Sequence, residues 1–75
     1  MEYEILKKSI EKVLQIYSKE ISISSTFESE LGADSIDMAQ IFCCVEKDLG
    51  IKLPKCDYST IETVGDALRF IRSAM

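Results

Sequence analysis

Residues 31–50 read Leu31-Gly32-Ala33-Asp34-Ser35-Ile36-Asp37-Met38-Ala39-Gln40-Ile41-Phe42-Cys43-Cys44-Val45-Glu46-Lys47-Asp48-Leu49-Gly50. Asp is a preferred N-cap because its carboxylate accepts the unpaired N–H groups of a first helical turn, and Asp37, three residues after Asp34, has the spacing of a capping box. Gly50 suits the left-handed residue that ends a helix. The stretch therefore predicts a helix from about Ser35 to Leu49, with Ser35 at its first position. Its apolar residues (Ile36, Met38, Ala39, Ile41, Phe42, Cys43, Cys44, Val45, Leu49) cover more than one core-facing stripe needs. Part of that surface is thus expected to meet a ligand or partner.

Outward from this helix, the N-terminal segment repeats apolar residues at Ile5, Leu6, Ile10, Val13, Leu14 and Tyr17, which predicts an amphipathic helix from Glu2 to about Ser18. Ile21 to Thr26 alternates apolar and polar residues, but a lone strand would lack a partner. A long surface loop is the expectation, with Ile21, Ile23, Phe27 and Leu31 pointing inward and Gly32 at its end. Pro54 blocks a helix, leaving Cys56 to Ile61 for a short helix or turn. Thr63 and Asp66 repeat the cap spacing and open a last helix with Val64, Ala67, Leu68 and Ile71 facing the core. The expected fold is all-α, with three longer helices and one short one in a single domain spanning residues 1–75.

Seventy-five residues allow one modest core, and a deep enclosed active site is unexpected in so short a chain. The net charge of -4 and a pI near 4.7 argue against nucleic-acid binding, which needs clustered Lys and Arg. The charge is local. Residues 21–50 hold Glu28, Glu30, Asp34, Asp37, Glu46 and Asp48 against Lys47, whereas residues 1–20 carry four acids and four bases. Such a field steers basic partners. Three cysteines, Cys43, Cys44 and Cys56, fit no disulfide framework, and without His they complete no zinc site; buried or half-buried free thiols are expected. With no His in the chain and only Lys47 nearby, neither Cys43 nor Cys44 has the neighbour that activates a nucleophile. Met1-Glu2-Tyr3-Glu4 lacks the opening of a signal peptide and no apolar run reaches membrane-spanning length, so a cytoplasmic protein without membrane insertion is expected.

Ser35 is the residue with chemical promise. A helix N-terminus presents unpaired N–H groups and the positive end of the helix dipole, so a phosphodiester there gains about 0.3–1 kcal/mol. Glu28-Ser29-Glu30-Leu31-Gly32-Ala33-Asp34-Ser35-Ile36-Asp37 resembles the phosphopantetheine attachment motif of acyl carrier proteins, with Ser35 matching the modified serine. The resemblance continues through Val45-Glu46-Lys47-Asp48-Leu49-Gly50-Ile51-Lys52-Leu53-Pro54 and Ile61-Glu62-Thr63-Val64-Gly65-Asp66-Ala67, and covers nearly the whole chain.

The resemblance implies a four-helix bundle that is not an enzyme. It implies a covalent 4′-phosphopantetheine arm on Ser35, derived from coenzyme A through a magnesium-dependent phosphopantetheinyl transferase. The arm would present acyl groups as thioesters to acyl-transferring and ketosynthase-type enzymes of fatty-acid, polyketide or related lipid biosynthesis, the carrier being a monomer. Asp34, Ile36, Asp37, Gln40 and Glu46 would meet partners. Phe27, Met38, Phe42, Val45, Leu53, Tyr58 and Ile61 would wall the acyl pocket. Departures are Ile36 in place of the usual Leu, Gln40 in place of a frequent Glu, Lys47 within an acidic run, and bulky Phe42 and Tyr58, which narrow the space for an acyl chain. An aminoacyl or peptidyl carrier and an unmodified acidic adaptor are the alternative readings.

Overall fold

The computed structural model describes residues 1–55 and 57–75; Cys56 lies outside the described residues. Among these residues three α-helices form the frame: α1 (Glu2–Leu14), α2 (Ser35–Leu49) and α3 (Val64–Ser73). The fold is all-α, and among the described residues there is no strand. The segment expected to make a short helix or turn holds a 3₁₀ turn at Tyr58–Thr60, so the short fourth helix of the expected bundle is reduced to that turn among the described residues; a second such turn covers Ser18–Glu20. Pro54 and the Asp57 side chain, which accepts the Ser59 N–H, confine the Tyr58 turn to a few residues. α1 packs mainly on α2 and less extensively on α3. Leu6, Ile10, Ile41, Val45, Val64 and Ile71 are fully buried where these faces meet, each worth about 1.5–3 kcal/mol if the side chain would otherwise be in water.

The predicted limits of α2 agree with the structure. Asp37 N–H donates to Asp34 Oδ1 at 2.9 Å, Asp34 N–H donates to Asp37 Oδ2 at 3.3 Å, and Gly50 ends the helix at φ 66°. Thr63 and Asp66 form the same box at the start of α3, and Val64, Ala67, Leu68 and Ile71 are all buried as expected.

Helix α1 is shorter than its periodicity suggests. Gln15 turns left-handed at φ 57°, ψ 48°, and its N–H donates to Glu11 O at 2.7 Å. This reversal takes Tyr17 off the helical face, so that it is 71% exposed rather than inward, while Ile16 packs against the core. In the following loop Ile21 and Phe27 are buried and Leu31 is half-buried. Ile23 is 52% exposed, against expectation.

The reason is backbone pairing. Thr26 forms an isolated antiparallel bridge with Thr63, Phe27 N–H donates to Glu62 O (2.9 Å), Val64 N–H to Ser25 O (3.0 Å) and Gly65 N–H to Ile23 O (2.9 Å). The alternation over residues 21–26 thus has a partner after all, the first turn of α3. The loop carbonyls accept N–H groups that a helix start leaves unpaired. Ile23 is held here by its carbonyl, not by its side chain.

The connection after α2 is tied down through Glu46. Gly50 and Ile51 N–H both donate to its carbonyl, and Leu53 N–H donates to its Oε2 at 2.6 Å.

A Cβ on Gly65 would lie 2.9 Å from Ile23 Cγ2 and 3.2 Å from Ile23 O. Gly65→Ala should therefore destabilise the fold by about 1–3 kcal/mol in urea denaturation, although Ala is the better helix former by about 1 kcal/mol. Adding Ile23→Ala should recover part of the loss; an alanine variant as stable as the parent would refute the seat. Asp66 accepts the N–H groups of Thr63 and Glu62, and the Thr63 bond above all holds its carboxyl below the ordinary value. Its contribution is complete above the unfolded-state value of about 3.9 and is lost as pH falls through the lower folded-state value. Asp66→Asn should flatten the acid limb of a stability-against-pH curve below about pH 4, and an unchanged limb would count against this assignment.

Candidate functional site

Ser35 is the first residue of α2 and is exposed. The capping box decides this geometry. Asp34 lies in extended backbone (φ -99°, ψ -175°), and its carboxylate takes the Asp37 N–H. The N–H groups of Ser35 and Ile36 have no acceptor within the helix, so the Ser35 hydroxyl sits in the positive field of a fifteen-residue helix. Gly32, at φ 70°, makes the turn that brings the chain up to the cap, and Ala33 N–H donates to Phe27 O at 2.7 Å. A phosphodiester on Ser35 would project to solvent with these donors at its base, which fits a phosphate-linked arm.

Beside Ser35 opens a groove of about 830 Å³. Four residues named from the sequence line it with Ser35: Phe27, Met38, Tyr58 and Ile61; Asp34 lies on its rim. Phe42 and Val45 are buried in the core beneath and do not line the groove, and Leu53 is half-buried away from it. Of the residues expected to meet partners, Ile36 is 67% exposed, Gln40 is exposed, and Asp37 and Glu46 are half-buried through the hydrogen bonds described above.

Part of the lining escaped the sequence reading. Asp57, Ser59 and Glu62 line the groove together with Ser35, as does Glu28. Ser59 Oγ donates to Asp57 Oδ1 at 2.7 Å and Ser59 N–H to the same oxygen at 3.0 Å. These bonds, the hydroxyl's first, hold the Asp57 carboxyl below the ordinary carboxylate value, so it is negative at neutral pH. The Asp57-Tyr58-Ser59 spacing is an Asx-turn signal and marks a turn, but only the tertiary fold brings that turn to the groove that Ser35 also lines.

Beneath the groove lies an aromatic group. The Phe42 and Tyr58 rings stack with centroids 5.4 Å apart and planes 13° apart, and Phe70 meets Phe42 edge-on at 5.6 Å and 81°. Cys43 and Cys44 do not line the groove. Cys43 is exposed on α2, contrary to the expected burial, because the α2 residues turned into the core are Met38, Ile41, Phe42 and Val45; Cys44 is half-buried. No helix among the described residues is long and apolar enough to cross a membrane.

Residues 4–71 match the family model described as a phosphopantetheine attachment site. An acyl carrier protein from Treponema denticola is 35% identical over 71 residues, which cover 95% of this chain and 91% of that protein. One from Clostridium perfringens is 35% identical over 69 residues, covering 92% and 91%. The similarity therefore runs along whole carriers and is not confined to the neighbourhood of one serine. It carries the groove, the capped helix and the core together, and on that breadth the chain belongs to the acyl carrier protein family, whose members bear phosphopantetheine and serve as carriers, not enzymes.

Proposed function

We propose that Ser35 is the attachment point of the 4′-phosphopantetheine arm, and that residues 1–75 act as one carrier domain, monomeric and cytoplasmic. The cargo would be acyl groups of fatty-acid, polyketide or related lipid biosynthesis. The observation that carries this reading is the exposed Ser35 hydroxyl at the first position of a capped helix, opening on a groove, within the Gly32-Ala33-Asp34-Ser35 motif. The arm's terminal thiol holds the acyl group as a thioester. This chain's own part is positional. Asp34 and Asp37 fix the helix start that presents the Ser35 hydroxyl to a phosphopantetheinyl transferase. Tethering then keeps the cargo at high effective concentration near a docked acyl-transferring or ketosynthase-type enzyme.

The partner face assigned here is Asp34, Ile36, Asp37, Gln40 and Glu46 on α2. A large apolar side chain beside the reactive serine, two-thirds exposed as Ile36 is, makes a natural anchor within a rim of carboxylates. The charges should act on encounter rates more than on final affinity.

Incubation with coenzyme A and a transferase should add one phosphopantetheine mass to the parent and none to Ser35→Ala, whose helical circular dichroism should be unchanged because Asp34 still caps α2. An alanine variant that gains the mass would show that Ser35 is the wrong residue. Asp37→Asn keeps an acceptor for the Asp34 N–H while removing the charge, so it should slow loading by up to about fivefold with little change in melting temperature. Raising ionic strength from 0.1 M to 1 M, which shortens the Debye length from about 10 Å to about 3 Å, should slow the parent as well. Rates indifferent to both changes would rule out steering by this face.

A further inference from the structure

We infer that the Tyr58 ring, stacked on Phe42, shuts the interior of this bundle to long acyl chains, so that the protein is a carrier of short acyl groups. The inference rests on Ser35 as the attachment point. An apolar chain tethered there has two places to go: the groove beside Ser35, or the space between α2 and α3. No Cα of α2 comes within 8 Å of a Cα of α3, so side chains must fill that space, and the aromatic group does so. Phe42, only 2% exposed, stacks on Tyr58 and meets Phe70 edge-on. Tyr58 alone of the three lines the groove. Its ring is thus the partition between groove and interior.

Moving that partition is costly for reasons visible in the backbone. Tyr58 belongs to a 3₁₀ turn capped by Asp57, and the segment leading to it is tied to α2 through Leu53 and Glu46 at 2.6 Å. Swinging the ring aside breaks an aromatic stack and exposes Phe42. Close-packed interiors resist such insertion because they hold little spare volume. A short acyl group fits on the groove floor formed by Phe27, Met38 and Ile61 without moving Tyr58. A long one has to run along the open groove past Glu28, Asp34, Asp57 and Glu62, where its methylenes stay in contact with water and carboxylates. The enzymes that load and unload such a carrier would be those that build or transfer short acyl units.

The test loads Ser35 with butyryl- or palmitoyl-phosphopantetheine from the corresponding coenzyme A thioesters, verifies each form by intact mass, and compares thermal melting. In the parent, the palmitoyl form should be no more stable than the butyryl form. In Tyr58→Ala the missing ring leaves an apolar space that a chain can fill, and the palmitoyl form should melt about 4–8 °C above the butyryl form, the shift typical of a domain this size for a modest gain. Tyr58→Phe keeps the stack and should behave as the parent does. Should Tyr58→Ala fail to fold, Tyr58→Leu, which retains bulk but not the stack, takes its place. A parent stabilised more by palmitoyl than by butyryl overturns the inference, as does a ring-deleted variant with no preference for the longer chain. Failure of the parent to gain either mass at Ser35 overturns the attachment reading, and this inference falls with it.

Discussion

A helix can begin only where its first N–H groups find acceptors, and that constraint governs this small protein. The start of α2 meets it with reciprocal bonds between Asp34 and Asp37, and α3 meets it with the same device between Thr63 and Asp66. At α3 the box is supplemented by main-chain carbonyls of Ile23 and Ser25. One loop therefore serves both helices: its middle caps α3, and its end, past Gly32, delivers the chain to the cap of α2. The groove beside Ser35 lies between these two starts, and its walls are held by backbone hydrogen bonds as much as by side-chain packing.

What could be read in the sequence follows from how local each cause is. The limits of α2 and the start of α3 were legible because Asp34, Asp37, Gly50, Thr63 and Asp66 act within a few residues of themselves. The core faces of α2 and α3 were legible for the same reason, through the 3.6-residue period. The end of α1 was not, because Gln15 adopts a left-handed conformation that gives glycine or asparagine a signature but leaves glutamine none. Ile23 was misread because its orientation follows from pairing with residues some forty positions later. Such a bond has no local mark. The site divides in the same way: Ser35 announces itself through its cap and its motif, whereas Asp57, Ser59 and Glu62 join it only through the fold.

The aromatic group shows how a chain this short fills its interior. With about 75 residues there is little apolar material to span the distance between α2 and α3. Rings cover that distance with few rotatable bonds, and stacked or edge-on pairs are worth about 0.5–1.5 kcal/mol beyond the area they bury. Phe42 is the middle member, and both of its contacts join elements distant in sequence. Tyr58 shares the stack while bordering the groove, so stability and available volume are coupled at one residue.

The carboxylates of α2 are not interchangeable either. Asp34 and Asp37 hold each other's N–H groups, and Glu46 holds the N–H of Leu53. Each carboxylate spends one oxygen on the fold and keeps lone pairs on the other for solvent or a cation, since an ionised carboxyl accepts about four hydrogen bonds. The internal bond also fixes the rotamer. A charge already held in place loses less side-chain entropy when a partner docks, and that loss is about 0.5–1.5 kcal/mol for each mobile side chain immobilised. The same bonds that set where α2 begins and how its following loop is tied therefore leave its acidic face ordered before any partner arrives. Ile36, exposed among these fixed charges, would on the proposed reading be the apolar contact around which such a field orients an approaching surface.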